Sequence, residues 1–333
     1  MTTLNSPTRR RFLALTGAAG LGLATPALLR AAPATASVTG SAFASNWSVT
    51  LADTADVAPL KQRFDRLLAG IDRMMSPWRA DSEITGFNVA TREASRISAE
   101  TAFTADAALA MAAASDGWFD PTIGPLVARY GFGPIEGNVG PEDKAAPRWR
   151  SLAVEGDLLV KQEPGLTMDL CGIAKGRALD LMALELGNTG HDDFLIAISG
   201  ELLSGGRHPE GRPWQVAVED PRPDADSTFG VLRLDNAAVA TSGLRAQSYD
   251  LDGRRYSHII DPYHGRPVEG EIASVSVIAP DAMTADGWAT ALTAAGAAGP
   301  ALARRRGIAA LFLFHDGAGL RNESVNGFDR LLL

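Results

Sequence analysis

After residue 152 the chain is a succession of short apolar runs of strand length, broken by only two helical stretches. That order does not permit regular strand-helix alternation. The runs fall at 158–161, 167–170, 194–198, 214–218, 231–234 and 273–278, with 309–314 as a closing strand. The helical stretches lie at about 173–186 and 284–297. Upstream, a strand is expected near 46–51, with 37–45 as a short leader into it. Val57, Leu60, Phe64, Leu67, Ile71 and Met74 recur at helical spacing and mark an amphipathic helix over 57–75. An Ala-rich helix fits about 99–115, with Ser98 as its N-cap and Gly117 beyond its end. The stretch 134–150, rich in proline and charge, reads as loop. The class is α+β. No G-x-G-x-x-G follows a strand, which argues against a Rossmann nucleotide site.

Residues 1–36 stand apart from this pattern. Thr8-Arg9-Arg10-Arg11-Phe12-Leu13 precedes a mildly apolar stretch and then Ala34-Thr35-Ala36. A basic start, an apolar middle and an A-x-A end make a cleaved export signal, and the twin arginine resembles the address of the twin-arginine (Tat) route. The stretch is too short and too rich in Gly, Ala and Thr for a membrane anchor. The expected organisation is a signal over 1–36 and one enzyme-sized domain over 37–333, located in the periplasm and not integral to the membrane. Removing 1–36 takes away Arg9, Arg10, Arg11 and Arg30 and no acid, so the formal charge falls from −8 to −12. Such an acidic chain is a poor partner for nucleic acid. A single cysteine, Cys171, and five histidines leave neither a disulfide framework nor a zinc-type cluster.

Five segments carry polar residues that packing alone does not require. Met75-Ser76-Pro77-Trp78, followed by Asp81-Ser82-Glu83-Ile84 and Asn88, reads by itself as helix-turn-helix punctuation. Phe119-Asp120-Pro121-Thr122-Ile123-Gly124-Pro125 is a rigid loop, either structural or preformed for a ligand. Asp169-Leu170-Cys171-Gly172-Ile173-Ala174-Lys175-Gly176 spans a strand-to-helix junction. There a helix N-terminus and Lys175 suit a phosphate, and a structural glycine turn with a solvated lysine is the other reading. His258, among apolar neighbours with Asp261 three residues on, is either a structural histidine or a general base. Asp286 and Thr290 stand at i and i+4 of a helix, so their oxygens share a face. That suits a hard cation, although Asp286 also fits as support for the first helical turn.

Taken in order, these phrases resemble the ApbE family of FAD:protein FMN transferases over nearly all of 43–315. The matching wording is Met-Ser…Ser-Glu-Ile…Asn, Phe-Asp-Pro-Thr-x-Gly-Pro-Leu, Asp-Leu-x-Gly-Ile-Ala-Lys-Gly, Thr-Ser-Gly, His-Ile-Ile-Asp-Pro-x-x-Gly and Ala-Asp-x-x-x-Thr. Gly131-Phe132-Gly133 and Trp214…Asp220-Pro221 also fit. The resemblance implies mixed and antiparallel sheets with packed helices and a flavin site in a cleft between two halves. It further implies that Asp169 and Lys175 lie along FAD, with Trp78, Asp120, Pro121, Thr122, Ile260 and Phe43 as further contacts and Glu201 near the adenosine part. Mg²⁺ would be held by Asp286, Thr290 and the Gly172 carbonyl, and His258 would act at the incoming threonine hydroxyl. The chain departs from the family wording at Cys171, at Leu244-Arg245 and at Phe43-Ala44-Ser45.

The activity implied is Mg²⁺-dependent transfer of FMN from FAD to a threonine of an acceptor protein, with release of AMP. The implied acceptor is an outward-facing domain of a membrane redox protein, with its threonine in a short Asp/Ser/Gly-rich motif. Two alternatives stay open at this point: an FAD pyrophosphatase that uses water instead of threonine, and a flavin-binding protein without turnover.

Overall fold

The computed structural model describes residues 35–53, 56–137, 146–222, 227–245, 247–252 and 254–333, and residues 33–333 form one compact unit. The export-signal reading of 1–36 lies, but for its last two residues, outside the described residues, as does the middle of the 134–150 loop. In the first half, the elements are β1 (Ala36–Ala42), β2 (Ser45–Leu51), α1 (Ala58–Met75), α2 (Glu83–Val89), β3 (Ala94–Arg96), α3 (Ala99–Ala114), α4 (Gly124–Arg129), β4 (Leu152–Glu155) and β5 (Leu158–Lys161). There follow α5 (Ala174–Asn188), β6 (Phe194–Ile198), β7 (Glu201–Gly205), β8 (Trp214–Glu219), β9 (Thr228–Leu234), β10 (Ala238–Gly243), β11 (Ser248–Leu251) and β12 (Arg254–Ser257). The chain ends with β13 (Ile260–Asp261), β14 (Arg266–Pro267), β15 (Ile272–Ala279), α6 (Ala282–Ala294), α7 (Gly299–Arg306), β16 (Ala309–Asp316) and β17 (Gly319–Val325).

Eight strands build one antiparallel sheet in the order β1-β2-β6-β7-β10-β15-β16-β17. Alternate side chains leave a strand on opposite faces, and β16 shows the consequence. Ala310, Phe312 and Phe314 enter the core shared with α1, α5 and α6. Leu311 and Leu313 enter a second core against the β8–β9 ribbon, with Trp214, Val216, Leu232 and Phe328. The sheet is thus the middle layer between helices and a ribbon, the α+β arrangement expected. Helix α1 starts with a proline in its first turn and buries Leu60, Phe64, Leu68, Ile71 and Met75. Helix α3 is capped by Ser98, whose hydroxyl accepts the Thr101 N–H.

Three local expectations are corrected. Residues 37–45 are not a leader, because they supply β1 and a two-residue turn at Phe43-Ala44, whose φ angles of 53° and 55° close the Ala42–Ser45 pair. A turn of this kind favours Asn or Gly, neither of which is present, so the sequence carries no sign of it. The run 167–170 is extended but joins no ladder. The Asn88 amide takes the place of a neighbouring strand, accepting the Met168 N–H (2.7 Å) and donating to the Met168 carbonyl (2.9 Å). The Asp169 N–H donates to the Pro121 carbonyl (2.7 Å), and the buried Lys161 ammonium donates to the carbonyls of Leu166 (3.2 Å) and Phe87 (3.0 Å). A side-chain amide offers the same donor and acceptor as a peptide group, so the backbone is satisfied without a strand. Finally, β16 does not close the fold: β17 pairs along it, and its exposed Arg321 and Asn322 and half-buried Glu323 hide the apolar alternation.

The exposed Ala44 holds a left-handed φ that an L-residue adopts at a cost. Ala44→Gly is expected to stabilise the protein by about 1 kcal/mol, read from urea unfolding midpoints at an unchanged slope.

Candidate active site

Helices α5 and α6 meet at Gly176. A Cβ there would stand 2.3 Å from the Ala282 carbonyl oxygen and 2.6 Å from the Met283 Cα, so only glycine admits this approach. The first turn of α6 is held from two sides. Asp281 accepts the Thr284 N–H (2.8 Å), and Asp180, reaching across from α5, accepts the N–H groups of Ala282 (2.7 Å) and Met283 (3.0 Å). This docking places Asp286, 2% exposed, where it accepts the Gly176 N–H at 3.0 Å. One turn further on, the Thr290 hydroxyl donates to the Gly172 carbonyl at 3.4 Å. Gly172 is itself confined, since a Cβ there would meet Phe119 and Thr290 at 3.1 Å each.

Beside these oxygens, Lys175 pairs with Glu201 at the start of β7. The lysine side chain is 32% exposed and the glutamate 4%. Burial works against the Lys175 charge, but the carboxylates of Glu201 and Asp286 outweigh it and hold the ammonium well above its usual pKa. Burial pushes Asp286 up to about 7; Lys175 opposes this and Glu201 adds to it. The second Glu201 oxygen, Oε2, is buried without a hydrogen-bond partner. Cys171 is exposed at this turn, yet the crowding around its thiol and the Asp169 carboxylate push it up from the usual thiol value.

Among the described residues no cluster of three His, Cys, Asp or Glu side chains could hold a metal. A cation here would rest on one carboxylate with the Thr290 hydroxyl and the Gly172 carbonyl. These oxygen donors suit hard Mg²⁺, which usually takes only one or two protein carboxylates. The buried excess of two carboxylates over one ammonium, with an unpartnered Glu201 oxygen, also fits a missing positive charge.

The other predicted residues divide in two. Asp120 is spent on its loop: Oδ1 accepts the Thr122 N–H (2.9 Å) and hydroxyl (2.8 Å), and Oδ2 accepts the Arg148 N–H (2.9 Å). Burial raises its pKa and those bonds oppose the rise. Pro121 contributes its carbonyl to Asp169, and Asp169 Oδ1 accepts the Cys171 N–H (2.8 Å), turning the chain into α5. The first segment is scaffold as well. Ser82 caps α2, Glu83 accepts from the backbone and hydroxyl of Ser98 (2.9 Å each), and Asn88 holds Met168. Trp78 stands 69% exposed in the turn after α1, Phe43 lies half-buried at the β1–β2 turn, and Ile260 is buried in the β13–β14 pair. No hydrogen bond or ring contact among the described residues ties Trp78 or Phe43 to the Asp286 cluster.

His258 follows β12. The Gln247 carbonyl accepts its backbone N–H at 3.2 Å and faces its Nδ1 at 3.2 Å. A carbonyl can only accept, so Nδ1 carries the proton and Nε2 keeps its lone pair for base chemistry. Burial lowers the His258 pKa, the Gln247 carbonyl opposes that, and Lys175 adds to it, so the ring is neutral at physiological pH. Sequence reasoning passed over Asp180 and Phe132. A carboxylate between the buried Leu179 and Met182 on α5 was the available sign of Asp180, and Phe132 stood only as part of a Gly-Phe-Gly phrase.

The signature of the ApbE family matches residues 43–312. The chain belongs to the ApbE family. It is 36% identical over 287 residues to a Vibrio cholerae protein named FAD:protein FMN transferase, covering 84% of this chain and 86% of that one. A Salmonella typhimurium protein of the same name is 32% identical over 311 residues, 89% of each chain. The fold is similar to that of the Vibrio cholerae flavin transferase ApbE (TM-score 0.80, 33% identity, 90% of this chain and 99% of that one). It is equally similar to the apo Pseudomonas stutzeri flavinyl transferase ApbE (TM-score 0.79, 34% identity, 90% and 96%).

Removing the cation from the acidic pair tests this electrostatic account. Lys175→Met is expected to cost about 2 kcal/mol near neutral pH, between the limits for exposed and buried pairs. Asp286 has a raised folded pKa, so its charge is lost below about 7 and the penalty grows as pH rises from 5 to 8. Urea unfolding of both proteins at each pH reads this difference.

Proposed function

We propose that this ApbE-family chain transfers the FMN half of FAD to a threonine hydroxyl of an acceptor protein, releasing AMP. The observation that carries the reading is the convergence of Thr290, Gly172 and Lys175 around the buried carboxylates of Asp286 and Glu201, with a neutral His258 whose Nε2 has no hydrogen-bond partner among the described residues. Relatives 36% and 32% identical to this chain are named FAD:protein FMN transferase.

In this reading the Gly172–Lys175 turn and the Lys175 ammonium face the FAD pyrophosphate, and Asp286, Thr290 and the Gly172 carbonyl hold Mg²⁺. When bound, the cation supplies positive charge against that which builds on the transferring phosphoryl oxygens. His258 Nε2 takes the proton of the threonine hydroxyl as its oxygen attacks the FMN-side phosphorus. The bond to the AMP-side oxygen breaks, AMP leaves with the electron pair, and FMN remains joined through a phosphoester. Glu201 holds Lys175 in place, and its second oxygen accepts a donor from the adenosine end. The exposed Trp78 is free to cover the flavin ring.

Export completes the proposal. The twin-arginine signal over 1–36 sends the folded 37–333 domain to the periplasm, where the outward-facing domain of a membrane redox protein presents the acceptor threonine. No described helix is long and apolar enough to cross a membrane.

The mature protein with FAD, Mg²⁺ and an acceptor domain bearing the threonine motif is expected to release AMP and to add the mass of FMN to the acceptor. AMP formed equally without the acceptor, and no mass gain, would make the protein a pyrophosphatase. Absence of AMP in both mixtures would leave a flavin binder. His258→Ala is expected to lower the transfer rate by about 10²–10⁴-fold; full activity would remove it as the base. Mg²⁺ is expected to raise the melting temperature of the wild-type protein, and Asp286→Asn to lose most of that rise. An equal rise in both would take the metal away from Asp286.

A further inference from the structure

The β11–β12 hairpin pairs with no other strand among the described residues, yet His258 is the residue that follows it. An isolated two-stranded ribbon is marginal by itself, so what steadies it decides where His258 stands. The hairpin register sets Tyr249 opposite Tyr256, with ring centroids 5.3 Å apart at 15°. Asp250 and Arg255, one position along, point to the opposite face. On the aromatic face two more rings arrive from the turn after α4. Phe132 stacks on Tyr249 (5.3 Å, 22°), and Tyr130 stacks on Tyr256 (6.2 Å, 27°). Phe132 also meets the His258 ring edge-on, with centroids 6.3 Å apart at 62°.

The imidazole is therefore bounded by the Phe132 ring and by the Gln247 carbonyl that fixes Nδ1. Both belong to segments joined through the stack, since Gln247 leads into β11 and Phe132 rests on Tyr249. The loop that carries Phe132 continues from α4, which starts at Gly124, next to the Asp120–Thr122 turn that binds Asp169 through the Pro121 carbonyl. A continuous packed path thus runs from the α5 side of the site to the base.

We propose that Phe132, backed by Tyr249, is a positioning residue for His258, clamping the imidazole against the Gln247 carbonyl so that Nε2 faces the acceptor hydroxyl. This rests on the reading of His258 as the base. The titratable and charged groups around the ring are Lys175 of α5, paired with Glu201 of β7, and the phenols of Tyr249, Tyr256 and Tyr130. Phe132 itself adds no charge, so removing it changes placement and water access alone.

The test uses the mature protein with FAD, Mg²⁺ and a threonine-motif acceptor domain, measuring kcat, the KM for FAD and the pH dependence of kcat. Phe132→Ala is expected to lower kcat by roughly tenfold or more, as small misplacements of a base do, at an unchanged KM for FAD. The acidic limb should move up toward the ordinary histidine value as water reaches the ring. Phe132→Tyr, which keeps the ring edge, should restore most of the rate and return the limb. Wild-type kcat with an unmoved limb in Phe132→Ala would overturn the proposal, and so would a loss that only tracks the folded fraction on melting. If Phe132→Ala does not fold, Tyr249→Leu, one ring removed from His258, should give a smaller loss of kcat with the same upward limb, and no change there overturns it equally. Full activity in His258→Ala would instead sink the base reading itself, whatever Phe132 does.

Discussion

The approach of α5 to α6 at Gly176 governs where the Asp286, Thr290 and Gly172 oxygens stand. Only a hydrogen fits between Gly176 and the Ala282 carbonyl, and that contact fixes both the distance and the phase of α6 along α5. Asp180 can then reach the free N–H groups at the start of α6, and Asp286 can meet the Gly176 N–H. Thr290 follows one turn later on the same face and lands on the Gly172 carbonyl. A larger residue at 176 would push the helices apart and separate all of these partners at once. A donor set with one carboxylate and two neutral oxygens has little charge to draw a cation in, so its geometry must be set by the fold.

Electrostatically the same cluster is unfavourable by itself. Two buried carboxylates share one lysine, and a Glu201 oxygen lies buried without a donor, a loss of about 1–3 kcal/mol for such a group. The surrounding core offsets that strain. Leu170, Ile173, Leu179 and Met182 lie buried on the α5 side, Ala285, Ala289 and Leu292 on α6, and Val275 and Val277 on β15. Unsatisfied polar groups inside a well-packed core are expected where a ligand completes the set. The raised Asp286 pKa and the bare Glu201 oxygen are two expressions of that one incompleteness.

How much of this was legible follows from the range of the forces involved. Helix α1 was readable because it buries a face at regular spacing, α3 from its alanines and Ser98 cap, β6 and β15 as apolar runs bounded by turns, and β8 as an alternation of buried and exposed residues. The segments of the site were readable as ordered phrases, but their division of labour was not. Ser82 is the helix punctuation that its segment suggested, but nothing local shows that Glu83, Asn88 and Asp120 each bond the backbone of a distant segment. Asn88 bonds Met168 across 80 residues and Asp180 bonds Ala282 across 102, distances at which no local pattern survives. The Phe43-Ala44 turn was hidden for the opposite reason: its conformation is imposed by the β1–β2 pairing against the preference of its own residues.

The two sides of the site are held by different means, and the difference matches what each must meet. The side of Asp286, Lys175 and Glu201 is welded between α5, α6 and β7, inside the main core. His258 hangs from a ribbon whose Tyr249 and Leu251 are exposed and whose anchorage is a stack of rings. In the proposed reaction the FAD pyrophosphate has one shape at every turnover, so a rigid cradle loses nothing by being fixed. The acceptor is a folded macromolecule whose threonine must be delivered to the base across an interface. The base that meets it is held from its own ribbon: Gln247 sets the tautomer, and the Phe132 ring, resting on Tyr249, bounds the imidazole.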